Sequence, residues 1–166
     1  MQYVTTQDIK IPALGFGTWQ LNGKECVKAV QKALETGYRH IDTAQAYENE
    51  EFVGQGINEF DIKRNEFFLT TKIWMENFDK DKFMPSLDDS LEKLRTDHVD
   101  MLLLHWPSAD HDMDETLELL IEAKKSGKTR LVGVSNYTIE YMKHAQKKTG
   151  NLIATNQVEF HPFIPQ

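Results

Sequence analysis

The chain has 166 residues, of which 40% are hydrophobic, 10% aromatic and 27% charged, and its formal net charge at pH 7 is −7. This length and apolar content predict one compact domain with a sizeable core and argue against an intrinsically disordered chain. The negative charge disfavours a nucleic-acid surface, since phosphate binding requires clustered Lys and Arg. The single cysteine, Cys26, excludes an internal disulfide framework and a multi-cysteine zinc site.

Neither a membrane segment nor a metal site is indicated. The apolar runs, such as residues 101–104, are far shorter than the roughly 18 residues that a membrane-spanning helix needs. The first ten residues lack a basic segment followed by an apolar stretch, so no secretory signal is expected. The histidines show neither H-E-x-x-H nor H-x-H spacing. We therefore predict a soluble, cytoplasmic protein with no metal, membrane or nucleic-acid partner.

Short β-type runs alternate along the chain with segments of helical periodicity. An antiparallel hairpin is predicted first, over residues 2–5 and 9–11. The β-type runs follow at residues 13–17, 38–41, 67–71, 99–104, 131–134 and 153–158. Apolar stripes at helical spacing are formed by Val27, Val30 and Leu34, by Met84, Leu87, Leu91 and Leu94, and by Leu117, Leu120 and Ile121. A further helix is predicted from an N-cap at Thr138 to about Thr149, and Pro85 is expected in an early helical turn.

Repeated strand–helix units require right-handed crossovers and a parallel sheet. Either an open doubly wound sheet or part of a (β/α)8 TIM barrel fits this order. A dinucleotide-binding doubly wound sheet normally begins with G-x-G-x-x-G. Here Gln20 stands at the third glycine position after Gly15 and Gly17, and the Gly54–Gly56 pair also lacks a third glycine. We therefore predict a single α/β domain over residues 1–166, with about six of the eight units of a TIM barrel and an N-terminal β-hairpin that plugs one end.

Four polar side chains stand at the ends of successive predicted strands, where parallel α/β folds gather their functional groups. Asp42 follows the second strand with Tyr47 five positions later, Lys72 ends the third, and His105 ends the fourth. A lysine cation stabilises a phenolate and so makes a neighbouring tyrosine a better proton donor, while an aspartate holds the lysine in place. Each residue alone has an ordinary explanation as a surface charge, a helix cap or a packed side chain. Together they predict a proton-donor site.

The same residues lie within longer motifs. Residues 37–44 (GYRHIDTA), continued by Tyr47, Asn49, Glu50 and Gly54, resemble the first signature of the aldo-keto reductases, and residues 131–137 (LVGVSNY) resemble the second. Residues 69–74, 103–107 and 156–162 are similar to further segments of that family. Within the family, residues 71–82 and 91–96 look most like the bacterial 2,5-diketo-gluconate and methylglyoxal reductase branch. The resemblance covers essentially the whole chain.

This resemblance implies an NADPH-dependent oxidoreductase that reduces a small aldehyde or ketone, of the dicarbonyl or keto-sugar type, to an alcohol. Tyr47 would be the proton donor, Lys72 its activating partner and Asp42 the anchor of the lysine. His105 would orient the substrate carbonyl. Cofactor contacts are expected from Gly17, Thr18, Asp42, Ser135, Asn136 and Gln157. The substrate site is expected to be lined by Trp19, Trp74, His105 and Trp106.

The family barrel has eight βα units in about 250 residues, so we expect this chain to be truncated after its sixth strand. Folded alone, it is expected to bind NADPH weakly and to be inactive, and a second chain could cover the open barrel. Two alternatives stay open. One is a barrel lyase in which Lys72 forms a Schiff base with a carbonyl substrate. The other is a non-catalytic module that binds a cofactor or a partner.

Overall fold

The fold, as given by a computed structural model that describes residues 2–164, is a parallel sheet flanked by helices. The described residues form an antiparallel hairpin of Tyr3–Thr6 (β1) and Ile9–Pro12 (β2). The strands of the parallel sheet are Phe16–Gly17 (β3), His40–Asp42 (β4), Phe68–Ile73 (β5), Val99–Leu104 (β6), Thr129–Ser135 (β7) and Ile153–Gln157 (β8). The described α-helices are Gly23–Glu35 (α1), Glu50–Glu59 (α2), Lys80–Leu94 (α3), Met113–Lys125 (α4) and Ile139–Thr149 (α5). None of them combines the length and apolarity needed to cross a bilayer.

Strands β3 to β8 form one parallel sheet in sequence order, and one α-helix connects each strand to the next. This arrangement confirms the prediction of a partial (β/α)8 barrel. The carboxyl ends of the six strands therefore point in one direction. Within the described residues, β3 and β8 are the two outer strands of this sheet.

The N-terminal hairpin closes one end of the barrel interior, as predicted. Its two-residue turn places Gln7 at φ 47° and Asp8 at φ 62°, which suits the type I′ turns that match strand twist. Ile9 and Ile11 on β2 pack against the inner apolar cluster of the sheet. That cluster consists of Phe68, Met101, Leu103 and Leu131.

A second, larger apolar layer lies between the sheet and the helices. On β6, Leu102 and Leu104 belong to this outer layer, whereas Met101 and Leu103 belong to the inner cluster. Alternate residues of a strand point to opposite faces of its sheet. Both faces of β6 are therefore buried, which explains its uninterrupted apolar sequence.

The glycines of the G-x-G pair in α2 serve helix packing. A Cβ atom on Gly54 would lie 2.3 Å from the Lys93 carbonyl oxygen of α3. One on Gly56 would lie 3.0 Å from the Val27 carbonyl oxygen of α1. Any larger residue would force the helices apart, so this pair lets α2 fit closely between α1 and α3.

Two local predictions are wrong, and one helix was not predicted. Residues 13–15 do not join β3, because the backbone N–H of Ala13 donates to the Gln2 carbonyl and extends the hairpin instead. Pro85 is the sixth residue of α3 rather than an early one, because that helix begins at Lys80. Helix α2 was not predicted, since its glycines interrupt the apolar periodicity.

A buried carboxylate joins three strands at the end of the sheet opposite to the predicted site. Asp100 of β6 is 2% exposed, and one of its oxygens accepts hydrogen bonds from the Leu69 backbone N–H (2.9 Å) and from Arg64 (2.7 Å). Its other oxygen accepts from Arg130 of β7 at 2.7 Å. This cluster fixes the N-terminal parts of β5, β6 and β7 relative to one another.

Candidate active site

Lys72 lies at the centre of the predicted site, with its side chain buried at the carboxyl end of β5. Its Nζ donates to Asp42 Oδ1 at 2.5 Å, to the Thr43 carbonyl oxygen at 2.9 Å and to Tyr47 Oη at 3.2 Å. These three acceptors use all three N–H bonds of an ammonium group. The structure therefore brings together three of the four predicted proton-donor residues in one hydrogen-bonded chain.

Tyr47 is carried by a single 3₁₀ turn, Gln45–Tyr47, that follows β4. Because an ammonium group has no lone pair, the Tyr47 oxygen accepts the hydrogen bond from Lys72. The phenolic proton of Tyr47 is consequently not used in that hydrogen bond and is free to point away from Lys72. Lys72 Nζ also lies 4.9 Å from the centre of the Tyr47 ring, within cation–π range.

His105 lies beside the tyrosine, directly after β6. Its ring centre is 5.6 Å from that of Tyr47 and 5.4 Å from that of Trp74, both in edge-to-face orientation. Its Nδ1 is buried and has no hydrogen-bond partner among residues 2–164. The pKa of His105 is lowered to about 4, chiefly by burial and secondarily by the Lys72 charge, while the Asp42 charge acts in the opposite direction. The imidazole is therefore neutral at physiological pH.

We expect the His105 ring to stay neutral down to about pH 5 and to gain a proton near pH 4. An unfolded histidine takes up its proton near pH 6.5, so the unfolded state binds more protons between these values. His105 should therefore make the protein less stable as the pH falls from about 6.5 to about 4. A ¹⁵N NMR titration of the ring tests the expectation, and a midpoint near 6.5 would contradict it.

The residues predicted to hold the nicotinamide carboxamide form a rim at the carboxyl ends of β7 and β8. Ser135 Oγ donates to the Gln157 carbonyl oxygen at 2.9 Å, and Asn136 Nδ2 donates to the His105 carbonyl oxygen at 3.0 Å. Gln157 Nε2 donates to Asp42 Oδ2 at 2.8 Å. The amide oxygens of Asn136 and Gln157 accept no hydrogen bond from the described residues. They remain available to accept from the N–H groups of a primary amide such as a nicotinamide carboxamide, so these acceptors fit that group.

A β-bulge directs Gln157 into the site. Val132 of β7 pairs with Ile153, but Val134 pairs with Asn156, so β8 contains one extra residue. Bulges re-aim the side chains that follow them. Beyond the bulge, Asn156 bonds to both the N–H and the carbonyl oxygen of Tyr137, and Gln157 reaches across the interior to Asp42.

The remaining predicted residues lie at the same end of the sheet. The N–H and hydroxyl groups of Thr18 both donate to the Asp42 carbonyl oxygen, at 3.0 and 3.1 Å, and Gly17 pairs with Asp42 in the sheet. Trp19 is 68% exposed and Trp106 46% exposed, whereas Trp74 is partly buried beside His105. Their contacts with cofactor or substrate stay predictions.

Two amide side chains that were given no role in the sequence hold the turn of Tyr47 in place. Asn49 is buried, accepts from Thr43 Oγ and donates to the carbonyl oxygens of Thr18 and Leu21. Gln45 anchors the other side of the turn. The motif that contains Asn49 was the only signal for it, and the sequence held no signal for Gln45.

The Aldo/keto reductase family profile matches residues 13–166. The chain is 51% identical to the methylglyoxal reductase DkgB of Salmonella typhi over 157 residues, which cover 93% of this chain and 59% of that protein. It is 42% identical to the DkgA enzyme of Escherichia coli K12 over 158 residues, which cover 94% of this chain and 56% of that protein.

Two solved structures of aldo-keto reductases also resemble this fold. The aldo/keto reductase of Brucella melitensis superposes with a TM-score of 0.92 at 42% identity, over 99% of this chain and 65% of that one. A Bombyx mori aldo-keto reductase in complex with NADP gives 0.92 at 33% identity, over 99% and 60%.

The chain therefore belongs to the aldo/keto reductase family, and the predicted resemblance to its methylglyoxal reductase branch is confirmed. It spans about 59% of the length of the DkgB relatives that it matches.

Proposed function

We propose that the protein is an NADPH-dependent reductase that converts a small aldehyde or ketone to an alcohol. The observation that carries the proposal is the hydrogen-bonded chain Asp42–Lys72–Tyr47, with a neutral His105 beside its end. This arrangement leaves one acidic proton, that of Tyr47, outside the hydrogen bond with Lys72. The methylglyoxal reductases and a yeast glycerol 2-dehydrogenase (NADP(+)) among the relatives support the same reaction class.

Tyr47 supplies the proton in this reaction. When the carbonyl carbon receives a hydride and becomes tetrahedral, the electron pair of its C=O π bond moves to oxygen and takes the phenolic proton of Tyr47, so that an H–C–O–H group results. The phenolate that remains is stabilised by the Lys72 ammonium at 3.2 Å, which is fixed in turn by Asp42. The three residues are hydrogen-bonded before substrate arrives, so the site needs little rearrangement during the reaction.

His105 orients the substrate carbonyl. Its Nδ1 is buried and has no partner in the described part of the chain, and a buried N–H left unpaired is rarer than an unpaired acceptor. The proton of the neutral ring is therefore assigned to Nε2. An Nε2–H group donates a hydrogen bond to the carbonyl oxygen and directs that oxygen toward Tyr47.

A nicotinamide cofactor, when bound, supplies the hydride. Asn136 and Gln157 would hold its carboxamide through their available amide oxygens, with Ser135 completing that rim. Gly17, Thr18 and Asp42 would lie beside it, and Trp19, Trp74 and Trp106 would contact the carbon skeleton of the substrate.

The two alternative functions receive less support. A Schiff-base lysine must offer a neutral amine to its substrate, whereas Lys72 is buried and directs three hydrogen bonds to protein acceptors. A purely binding module has no need for a proton donor, yet Asp42, Lys72 and Tyr47 are assembled with short contacts.

The test is an NADPH oxidation assay with methylglyoxal and a keto-sugar, using the complete translation product of the gene. We expect turnover that saturates with both cofactor and carbonyl substrate. No turnover with any aldehyde or ketone, together with borohydride trapping of a carbonyl compound on Lys72, would support the lyase instead. Stoichiometric capture of one partner protein without turnover would support the binding module.

The 166-residue chain should be assayed alongside. We propose that alone it binds NADPH weakly, does not turn over, and associates through the edges of β3 and β8, the outer strands of the sheet among residues 2–164. Full turnover by this chain, or a single monomeric species in sedimentation, would contradict this.

A further inference from the structure

The position of Tyr47 is not fixed by its own turn. Two backbone hydrogen bonds hold that turn: Tyr47 N–H to the Ala44 carbonyl oxygen and Glu48 N–H to the Gln45 carbonyl oxygen, both 3.1 Å. A single 3₁₀ turn is short, has poor hydrogen-bond geometry and is barely stable in isolation. Contacts from neighbouring elements must therefore place the phenol.

Gln45, at the start of the turn, makes such contacts with every hydrogen-bonding position of its side-chain amide. Its Oε1 accepts from the Trp74 backbone N–H at 2.8 Å and from Asn77 Nδ2 at 3.0 Å. Its Nε2 donates to the Ser86 carbonyl oxygen at 3.0 Å and to Ser90 Oγ at 3.1 Å. An amide has two donor and two acceptor positions, so this side chain is saturated.

These contacts tie the turn to the strand that carries Lys72. Trp74 follows Lys72 by two residues, so the bond to its N–H fixes the turn against the end of β5. Ser90 also lies close enough to the buried carboxyl group of Glu50 to influence its pKa, and that carboxyl accepts from Thr71 Oγ at 2.5 Å. Because Thr71 precedes Lys72, residues around Gln45 contact β5 on both sides of the lysine.

We propose that Gln45 is a positioning residue that holds Tyr47 Oη within hydrogen-bond reach of Lys72 Nζ. The proposal rests on the proposed function, since it assigns the geometry of that proton donor. Gln45 touches neither Lys72 nor Tyr47 through its amide and acts through the turn that it anchors. Glutamate is a poor replacement, because a carboxylate oxygen would face the Ser86 carbonyl oxygen with no proton between them.

The first test is Gln45→Met in the complete translation product. We expect kcat for carbonyl reduction to fall by about 10- to 100-fold, since small misplacements of a reacting group cost rates of this order. The dissociation constant of NADPH should change by less than about twofold, because Gln45 contacts none of the predicted cofactor residues. Gln45→Glu, which keeps the size of the side chain, is expected to lower kcat in the same direction.

The matched control is Gln55→Met. Gln55 makes one exposed hydrogen bond, to Glu59 on the same helix, so its replacement should leave kcat unchanged. Unchanged kcat in both Gln45 variants would overturn the proposal.

A double variant separates positioning from general structural support. If Gln45 acts through the Tyr47 hydroxyl, Gln45→Met should not slow a Tyr47→Phe enzyme further. A further loss of the residual rate in the Tyr47→Phe background would contradict the proposal.

A crystal structure of Gln45→Met gives a readout that does not depend on activity. The Tyr47 Oη to Lys72 Nζ distance, 3.2 Å here, should exceed hydrogen-bond range in the variant. An unchanged distance overturns the role of Gln45 even in an active enzyme. Conversely, absence of any carbonyl reductase activity in the wild type removes the proposed function, while this distance still decides whether Gln45 places the phenol.

Discussion

Tyr47→Phe is expected to lower kcat for carbonyl reduction by about 10²- to 10⁴-fold, the usual contribution of a positioned general acid. The substitution removes only the phenolic oxygen atom, which accepts a hydrogen bond from Lys72 Nζ. The phenyl ring keeps its packing against His105. The fold and the cofactor rim, which lies on β7 and β8, should therefore be unaffected.

Steady-state kinetics and a fluorescence titration with NADPH check both parts of this expectation. Tyr141→Phe provides a matched control, because Tyr141 is a 43% exposed residue of α5 that packs against Tyr137. It loses the same hydroxyl group and should keep full activity. Undiminished turnover in Tyr47→Phe would falsify the proton-donor assignment, whereas loss of NADPH binding would show that the ring itself holds the cofactor.

Asp100→Ala is expected to lower the free energy of unfolding by about 1–3 kcal/mol, the usual cost of leaving a buried hydrogen-bond donor without its acceptor. The donor left without its acceptor is the buried Leu69 N–H. The change also removes the carboxylate shared by Arg64 and Arg130, whose side chains are 24% and 49% exposed and can be hydrated without it. Because domains are stable by only about 5–15 kcal/mol, this loss should be clearly measurable.

Urea denaturation followed by circular dichroism measures this loss. Asp89→Ala is the matched control, since Asp89 pairs with Lys93 on the surface of α3 and is 59% exposed. Exposed pairs at this spacing contribute about 0.3–0.5 kcal/mol, so the control should unfold almost as the wild type does. Equal midpoints for the two variants would show that the Asp100 cluster does not stabilise the sheet.

The order of elements and the clustering of the candidate site residues could be predicted from the sequence because both follow local rules. Alternation of apolar runs and stripes gave the βα order, and the carboxyl ends of parallel strands meet at one edge. Asp42, Lys72 and His105 each stand directly at such an end. Tyr47 was placed by its distance from Asp42 and by the motif that contains both.

The features that the sequence did not predict depend on contacts between distant segments. Gln45 is recognisable only once α3 and the end of β5 lie beside its turn, and the bulge in β8 depends on pairing with β7. Helix α2 was missed for a related reason. Its glycines look unfavourable for a helix, but Gly54 is required by the close approach of α3.

The hydrogen bond from Gln157 to Asp42 links residues 115 positions apart. A contact of such sequence separation forms late, because loop-closure entropy delays it until the intervening segments are ordered. During synthesis, β4, β5 and the Tyr47 turn emerge well before β8. The Asp42 carboxylate can therefore bond to Lys72 before Gln157, its second partner, has been synthesised. Outer strands also open more readily than central ones. Local opening of β8 would therefore break the hydrogen bond between Gln157 and Asp42. Motion of this outer strand is in this way coupled to the candidate active site.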